Sequence, residues 1–101
     1  MANICENKIY LSTPLQETYN EFKEIILKTL YGDVSWEDCD DGMFQLEAYF
    51  ESNWDFPKSI MKEITDNLTN TQNLYIRVLS IEECNYYAAY NVFEDGVWVL
   101  K

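Results

Sequence analysis

The sequence predicts an α+β fold, a two-layer sandwich in which two helices cover one face of a mixed five-stranded sheet. Three features point that way. Apolar and polar residues alternate in the opening segment, apolar residues recur at helical spacing after residue 15, and three short alternating runs close the chain. A period of two marks a half-buried strand, and a period of 3.6 marks an amphipathic helix.

The first strand is expected over Glu6–Leu11, with Asn7, Ile9 and Leu11 on one face and Lys8 and Tyr10 on the other. Thr13-Pro14-Leu15-Gln16 then offers a helix start. It supplies a hydroxyl for the N-cap, a proline for the first turn and a glutamine to complete a capping box. Leu15, Tyr19, Phe22, Ile26 and Leu30 form one apolar stripe. Lys28 complements the negative end of the dipole, and Gly32 is placed to end the helix.

Residues 33–42 read as an acidic loop. A second strand is expected over Met43–Phe50, with Phe44, Leu46, Ala48 and Phe50 on one face and Gln45, Glu47, Tyr49 and Glu51 on the other. A shorter helix follows Pro57 and turns Ile60, Met61, Ile64 and Leu68 inward, and the polar run Asn67–Asn73 leads out of it. Strands are then expected over Leu74–Ile81, Tyr86–Phe93 and Val97–Leu100, the last two joined by the hairpin signal Glu94-Asp95-Gly96. The order is βαβαβββ. Two right-handed crossovers put both helices on the same face of the sheet, an arrangement of ferredoxin-like type formed by one domain over residues 1–101.

Composition narrows the function. Eighteen acids stand against seven bases and no histidine, for a formal charge of −11 and a pI near 4.1. Phosphate contacts need clustered Lys and Arg, so direct binding of nucleic acid is disfavoured, and anionic membrane surfaces with it. At 48% hydrophobic the chain is too apolar for disorder. No apolar run reaches the roughly 18–20 residues of a membrane span and no signal-peptide pattern opens the chain, which is read as soluble and cytoplasmic.

Cys5, Cys39 and Cys84 are an odd number without paired spacing, and they read as reduced thiols. Without CxxC or histidine, neither a metal nor a cofactor is expected. Cys84 beside Glu82 and Glu83 reads as an unreactive thiol, because neighbouring acids raise its pKa. The missing histidine also removes the usual general base, and the chain is read as non-catalytic.

Between Asp33 and Asp55 the chain carries eight acids and no base. The plain reading is a solvated surface that keeps the protein soluble. The functional reading is a docking face for a basic protein, with Asp33, Trp36, Glu37, Asp38, Asp40, Asp41, Glu47, Tyr49 and Glu51 as the partner-binding residues. Glu47 and Glu51 share a strand face ~13 Å apart, and carboxylates so spaced can imitate a nucleic-acid backbone. Asp38, Asp40, Asp41 and Gly42 also offer a partial calcium loop, without its register or its terminal glutamate.

The aromatic set Tyr10, Trp36, Tyr49, Trp54, Tyr86, Tyr87, Tyr90 and Trp98 reads mostly as packing, with a remainder that suits a partner surface. Stacking on nucleotides needs positive charge nearby, and Arg77 alone does not supply it.

Three motifs carry a family resemblance. Ala2-Asn3-Ile4-Cys5-Glu6-Asn7 runs into a strand, Glu51-Ser52-Asn53-Trp54-Asp55-Phe56-Pro57 enters a helix, and Leu74–Glu83 is a strand ending in two acids. Together they resemble the ferredoxin-like domain family of phage and plasmid proteins of the YubB type. The resemblance implies a small accessory protein of a phage, plasmid or integrated element, and it transfers no catalytic residue. The expected function is binding of a basic protein partner. Its concrete form is a DNA-mimicking inhibitor of a host defence or nucleic-acid-processing enzyme. The alternatives are a structural module that forms a homodimer, and a carboxylate- or metal-dependent enzyme.

Overall fold

The opening alternation becomes a central strand. In the computed structural model, which describes residues 3–84 and 86–101, β1 (Ile4–Thr13) buries Cys5, Asn7, Ile9, Leu11 and Thr13. Glu6, Lys8, Tyr10 and Ser12 point the other way. Ala2 of the opening motif lies outside the described residues.

α1 (Gln16–Lys28) buries Thr18, Tyr19, Phe22 and Ile26 from the expected stripe and its border. Its entry is not a capping box. Thr13 stays in β1, where its Oγ1 accepts the Leu15 N–H at 3.2 Å, and Leu15 holds the N-cap position without a side-chain bond. The helix ends at the C-cap Thr29. Gly32 serves a different need: a Cβ there would lie 2.4 Å from the Tyr49 carbonyl oxygen, so only glycine lets the chain pass so close to the sheet.

Residues 33–40, expected within an acidic loop, are a strand. β2 (Asp33–Asp40) pairs antiparallel with β3 (Met43–Asn53) through a tight turn at Asp41 (φ 51°) and Gly42 (φ 75°). Left-handed φ at both turn residues matches the twist of the flanking strands. α2 (Lys58–Asn67), β4 (Tyr75–Glu82), β5 (Tyr87–Glu94) and β6 (Val97–Leu100) follow. The β5–β6 turn repeats the device with Asp95 (φ 54°) and Gly96 (φ 82°).

The six strands lie in the order β2-β3-β1-β4-β5-β6, and every neighbouring pair is antiparallel. This corrects the expected mixed five-stranded sheet of ferredoxin-like type and its order βαβαβββ; the α+β class stands. The cause lies in the crossovers. α1 carries the chain from β1 to β2 and α2 carries it from β3 to β4, each skipping one sheet position. The skipped positions are filled by β3 and β1, which run antiparallel to both neighbours.

Both helices pack on one face of this sheet. Ile9, Leu11, Leu46, Ala48, Phe50, Ile76, Val78 and Phe93 meet Phe22, Ile26, Met61 and Ile64 there. Burying one such side chain contributes about 1.5–3 kcal/mol. Ile60, expected to face inward, is 50% exposed.

Within the packed layer sits a fully buried amide, Asn7. Its Oδ1 accepts the Ser80 hydroxyl at 2.7 Å, and its Nδ2 donates to Ser52 Oγ at 2.9 Å and to the Phe50 carbonyl at 3.3 Å. Those bonds replace the water the amide gave up. Among the described residues, no helix is long and apolar enough to cross a membrane.

Candidate functional site

The helices cover one side of the sheet and leave the other open. Strand alternation decides which residues stand there, and register decides which of them meet. Across the central strands, Glu6 lies between Glu51 and Ile81, Lys8 between Tyr49 and Leu79, Tyr10 between Glu47 and Arg77, and Ser12 between Gln45 and Tyr75. β2 adds Asp33 opposite Tyr49, Trp36 opposite Glu47, and Asp38 opposite Gln45, while β5 adds Tyr90 opposite Leu79. A bulge between Val34 and Trp36 frees Ser35, whose hydroxyl donates to the Glu47 carbonyl at 3.2 Å.

Seven of the nine expected partner-binding residues come together on this face: Asp33, Trp36, Asp38, Asp40, Glu47, Tyr49 and Glu51. Asp41 stands apart, in the β2–β3 turn. Glu37 is on the opposite side. There it accepts hydrogen bonds from the Tyr19 hydroxyl and from Lys23 Nζ, the latter at 2.7 Å, so it ties β2 to α1. The lysine first, and then the tyrosine, hold the Glu37 carboxyl below the usual carboxylate range. The physical reason is parity, since residue 37 of a strand must point away from residues 36 and 38.

The open face has two halves of opposite character. On the β2–β3 side, acids dominate. The Tyr49 hydroxyl donates to Glu51 Oε2 at 2.8 Å and lies 3.4 Å from Glu6 Oε1. This bond, with burial and the two carboxylate charges, pushes the tyrosine up to about 12, so it remains a neutral donor beside two charged acceptors.

Toward β4 and β5 the face becomes cationic and aromatic. The Arg77 guanidinium lies 4.4 Å from the centre of the Tyr10 ring, and Tyr10 meets Tyr75 edge-on at 6.3 Å. Burial, then a hydrogen bond with Tyr75, raises the Tyr90 hydroxyl. A cleft of about 480 Å³ runs over this region, bounded by Lys8, Tyr10, Tyr49, Arg77, Leu79 and Tyr90, with Ser35 and Glu47 at its β3 end. Lys8 and Tyr75 were not anticipated as part of a site. The alternation that placed Lys8 beside Tyr10 was visible, and so were the strands on either side, but the register that sets Lys8 against Tyr49 and Leu79 was not.

The remaining candidates disperse. Cys5 is buried, and burial raises its thiol pKa, whereas Cys39 and Cys84 are exposed. Trp98 packs against Phe56 and Phe93 on the helix side, and Trp54 sits half exposed in a strained turn (φ 71°). Tyr86, expected within a strand, precedes β5 and is exposed. Among the described residues no cluster of acids or thiols is placed to hold a metal ion, Asp38, Asp40 and Asp41 included.

Comparison with protein-family models, with curated proteins and with solved structures gives no match for this chain. The open face offers carboxylates, phenols, an ammonium and a guanidinium. Such groups form ion pairs, hydrogen bonds and ring contacts, which is the chemistry of recognition.

Proposed function

We propose that the chain is a non-catalytic acidic protein that docks a basic protein partner on the β2–β3 half of its open face. The observation that carries this reading is the gathering of Asp33, Asp38, Asp40, Glu47 and Glu51 on one uncovered surface. Alternate residues such as Asp38 and Asp40 stand ~7 Å apart along a strand, and Glu47 and Glu51 ~13 Å. A rigid array of that kind matches regularly spaced Arg and Lys side chains. Trp36, 43% exposed among these acids, supplies an aromatic anchor of the type enriched at interface centres.

In its specific form, the partner's cations are ones that otherwise hold phosphates, and the protein is a DNA-mimicking inhibitor of a host defence or nucleic-acid-processing enzyme. The resemblance to accessory proteins of phages and plasmids is in keeping with that role. Steering by the net charge of −11 makes association fast at low ionic strength and slower as salt screens it.

The test is affinity capture from host lysate at low and high salt, with the native chain and with the triple variant Asp33→Lys, Asp38→Lys, Asp40→Lys. A basic nucleic-acid-handling protein should bind the native chain at low salt, leave at high salt and ignore the folded triple variant. Glu37→Gln should retain it. Equal capture by the triple variant would overturn the reading.

A second reading is favoured by β6. This edge strand exposes Val97 (57%), Val99 (44%) and Leu100 (68%), an apolar margin suited to a second copy of the chain. Light scattering should then show a salt-insensitive dimer that Val99→Lys converts to monomer.

A further inference from the structure

The centre of the open face calls for a different ligand from its acidic flank. We infer that the cleft over β1 and β4 binds a small aromatic anion, a planar ring carrying one phosphate or carboxylate group. Two of the seven bases of the chain, Lys8 and Arg77, converge there. Lys8 lies opposite Leu79, which puts it on the diagonal from Arg77, about 7–8 Å away at the backbone.

Neither cation forms an ion pair among the described residues, whereas Lys23, Lys28 and Lys62 each hold a carboxylate. Two adjacent cations that form no ion pair among the described residues, although Glu47 lines the same cleft, keep their charge available to an external anion. Arg77 is also oriented in advance. Its guanidinium lies over the Tyr10 ring, 4.4 Å from the centroid, which holds in place a donor fork suited to two oxygens of a carboxylate or phosphate.

The walls select the rest of the ligand. Tyr10, Tyr49 and Tyr90 flank the cleft and Leu79, 40% exposed, lies between them, so a flat ring finds apolar and aromatic contact. The volume of about 480 Å³ falls within the range of roughly 300–1,000 Å³ typical of small-molecule sites. Glu47 at the β3 end, with Glu6 and Glu51 beyond it, repels a polyanion, which limits the ligand to a single anionic group. The same Glu47 offers an acceptor to an amino or hydroxyl group at the far end of the ring.

The inference stands independently of the basic-partner reading. Titration calorimetry on the full chain tests it with adenosine monophosphate and with indole carboxylate as probes, against adenosine and inorganic phosphate. Saturable binding of at least one aromatic anion is expected, with the two controls about tenfold weaker or worse. Which of the two probes binds tells a nucleotide ligand from an aromatic acid. Arg77→Ala should weaken binding about tenfold, and Lys8→Ala, at an exposed position that leaves folding intact, should do the same. The inference is overturned if neither probe saturates at millimolar concentration, if phosphate alone binds as tightly, or if Lys8→Ala leaves the affinity unchanged.

Discussion

The two faces of β1 handle polar groups in opposite ways. On the covered face, Asn7 has its carbonyl oxygen and amide nitrogen engaged by Ser80, Ser52 and Phe50, and nothing remains for an outside molecule. On the open face, one strand position away, Lys8 has no carboxylate partner among the described residues, and Tyr49 leaves two charged acids beside it with oxygens to spare. A polar group that closes its own network serves the fold, and one left with spare bonding capacity stays available to a molecule outside it. The contrast separates the polar residues of this strand by bonding more sharply than exposure alone.

Mutations sharpen the comparison in order of expected size. Phe22→Ala, at a fully buried position beneath the sheet, should cost about 3–5 kcal/mol in urea unfolding, while Glu47→Gln across the sheet should stay within about 0.5 kcal/mol. Comparable losses at both positions would erase the distinction. Asn7→Ala strands the hydrogen-bonding groups around it and should cost about 2–3 kcal/mol by the same measurement. Gly32→Ala forces a methyl group against the Tyr49 carbonyl and should cost about 1–3 kcal/mol.

The smallest effect concerns pH. The folded-state pKa of Glu37 is depressed, so its ion pair stabilises the protein above the ordinary carboxylate range and is lost as pH falls through the folded value. Two-fifths exposed and screened by solvent, the pair contributes no more than about 1 kcal/mol. Urea midpoints measured from neutral to acid pH should therefore converge for the native chain and Glu37→Gln. Midpoints that ran parallel across the range would show that Glu37 does not clamp β2.

What the sequence disclosed depended on how local each signal was. The alternation in β3 lies within one segment, and its two faces are those observed, from Phe44 through Phe50 and from Gln45 through Glu51. β2 was hidden because four of its eight residues are Asp or Glu, which strands disfavour on their own. It is a strand because β3 pairs with it and because Tyr19 and Lys23 hold Glu37 from α1, all contacts distant in sequence. The Asp41-Gly42 dipeptide carried the same hairpin signal as Asp95-Gly96, but the acidic run before it masked the signal. Missing one strand then changed the parity of the whole sheet.

The site was legible to a similar degree. Its acidity could be read from composition, but the separation of Glu37 from Asp38 required strand parity. The meeting of Lys8 with Arg77 required the register of β1 against β4.

The position of β2 at one margin of the sheet has a consequence for assembly. An open margin invites a second sheet to continue the hydrogen-bond ladder, and unchecked repetition of that step builds filaments. Along β2 the step is opposed by Asp33, Glu37, Asp38 and Asp40, because a second copy would bring its own four charges against these. A pair joined at the β6 margin would present this charged strand at both outer ends. Growth from such a pair would therefore stop at two chains.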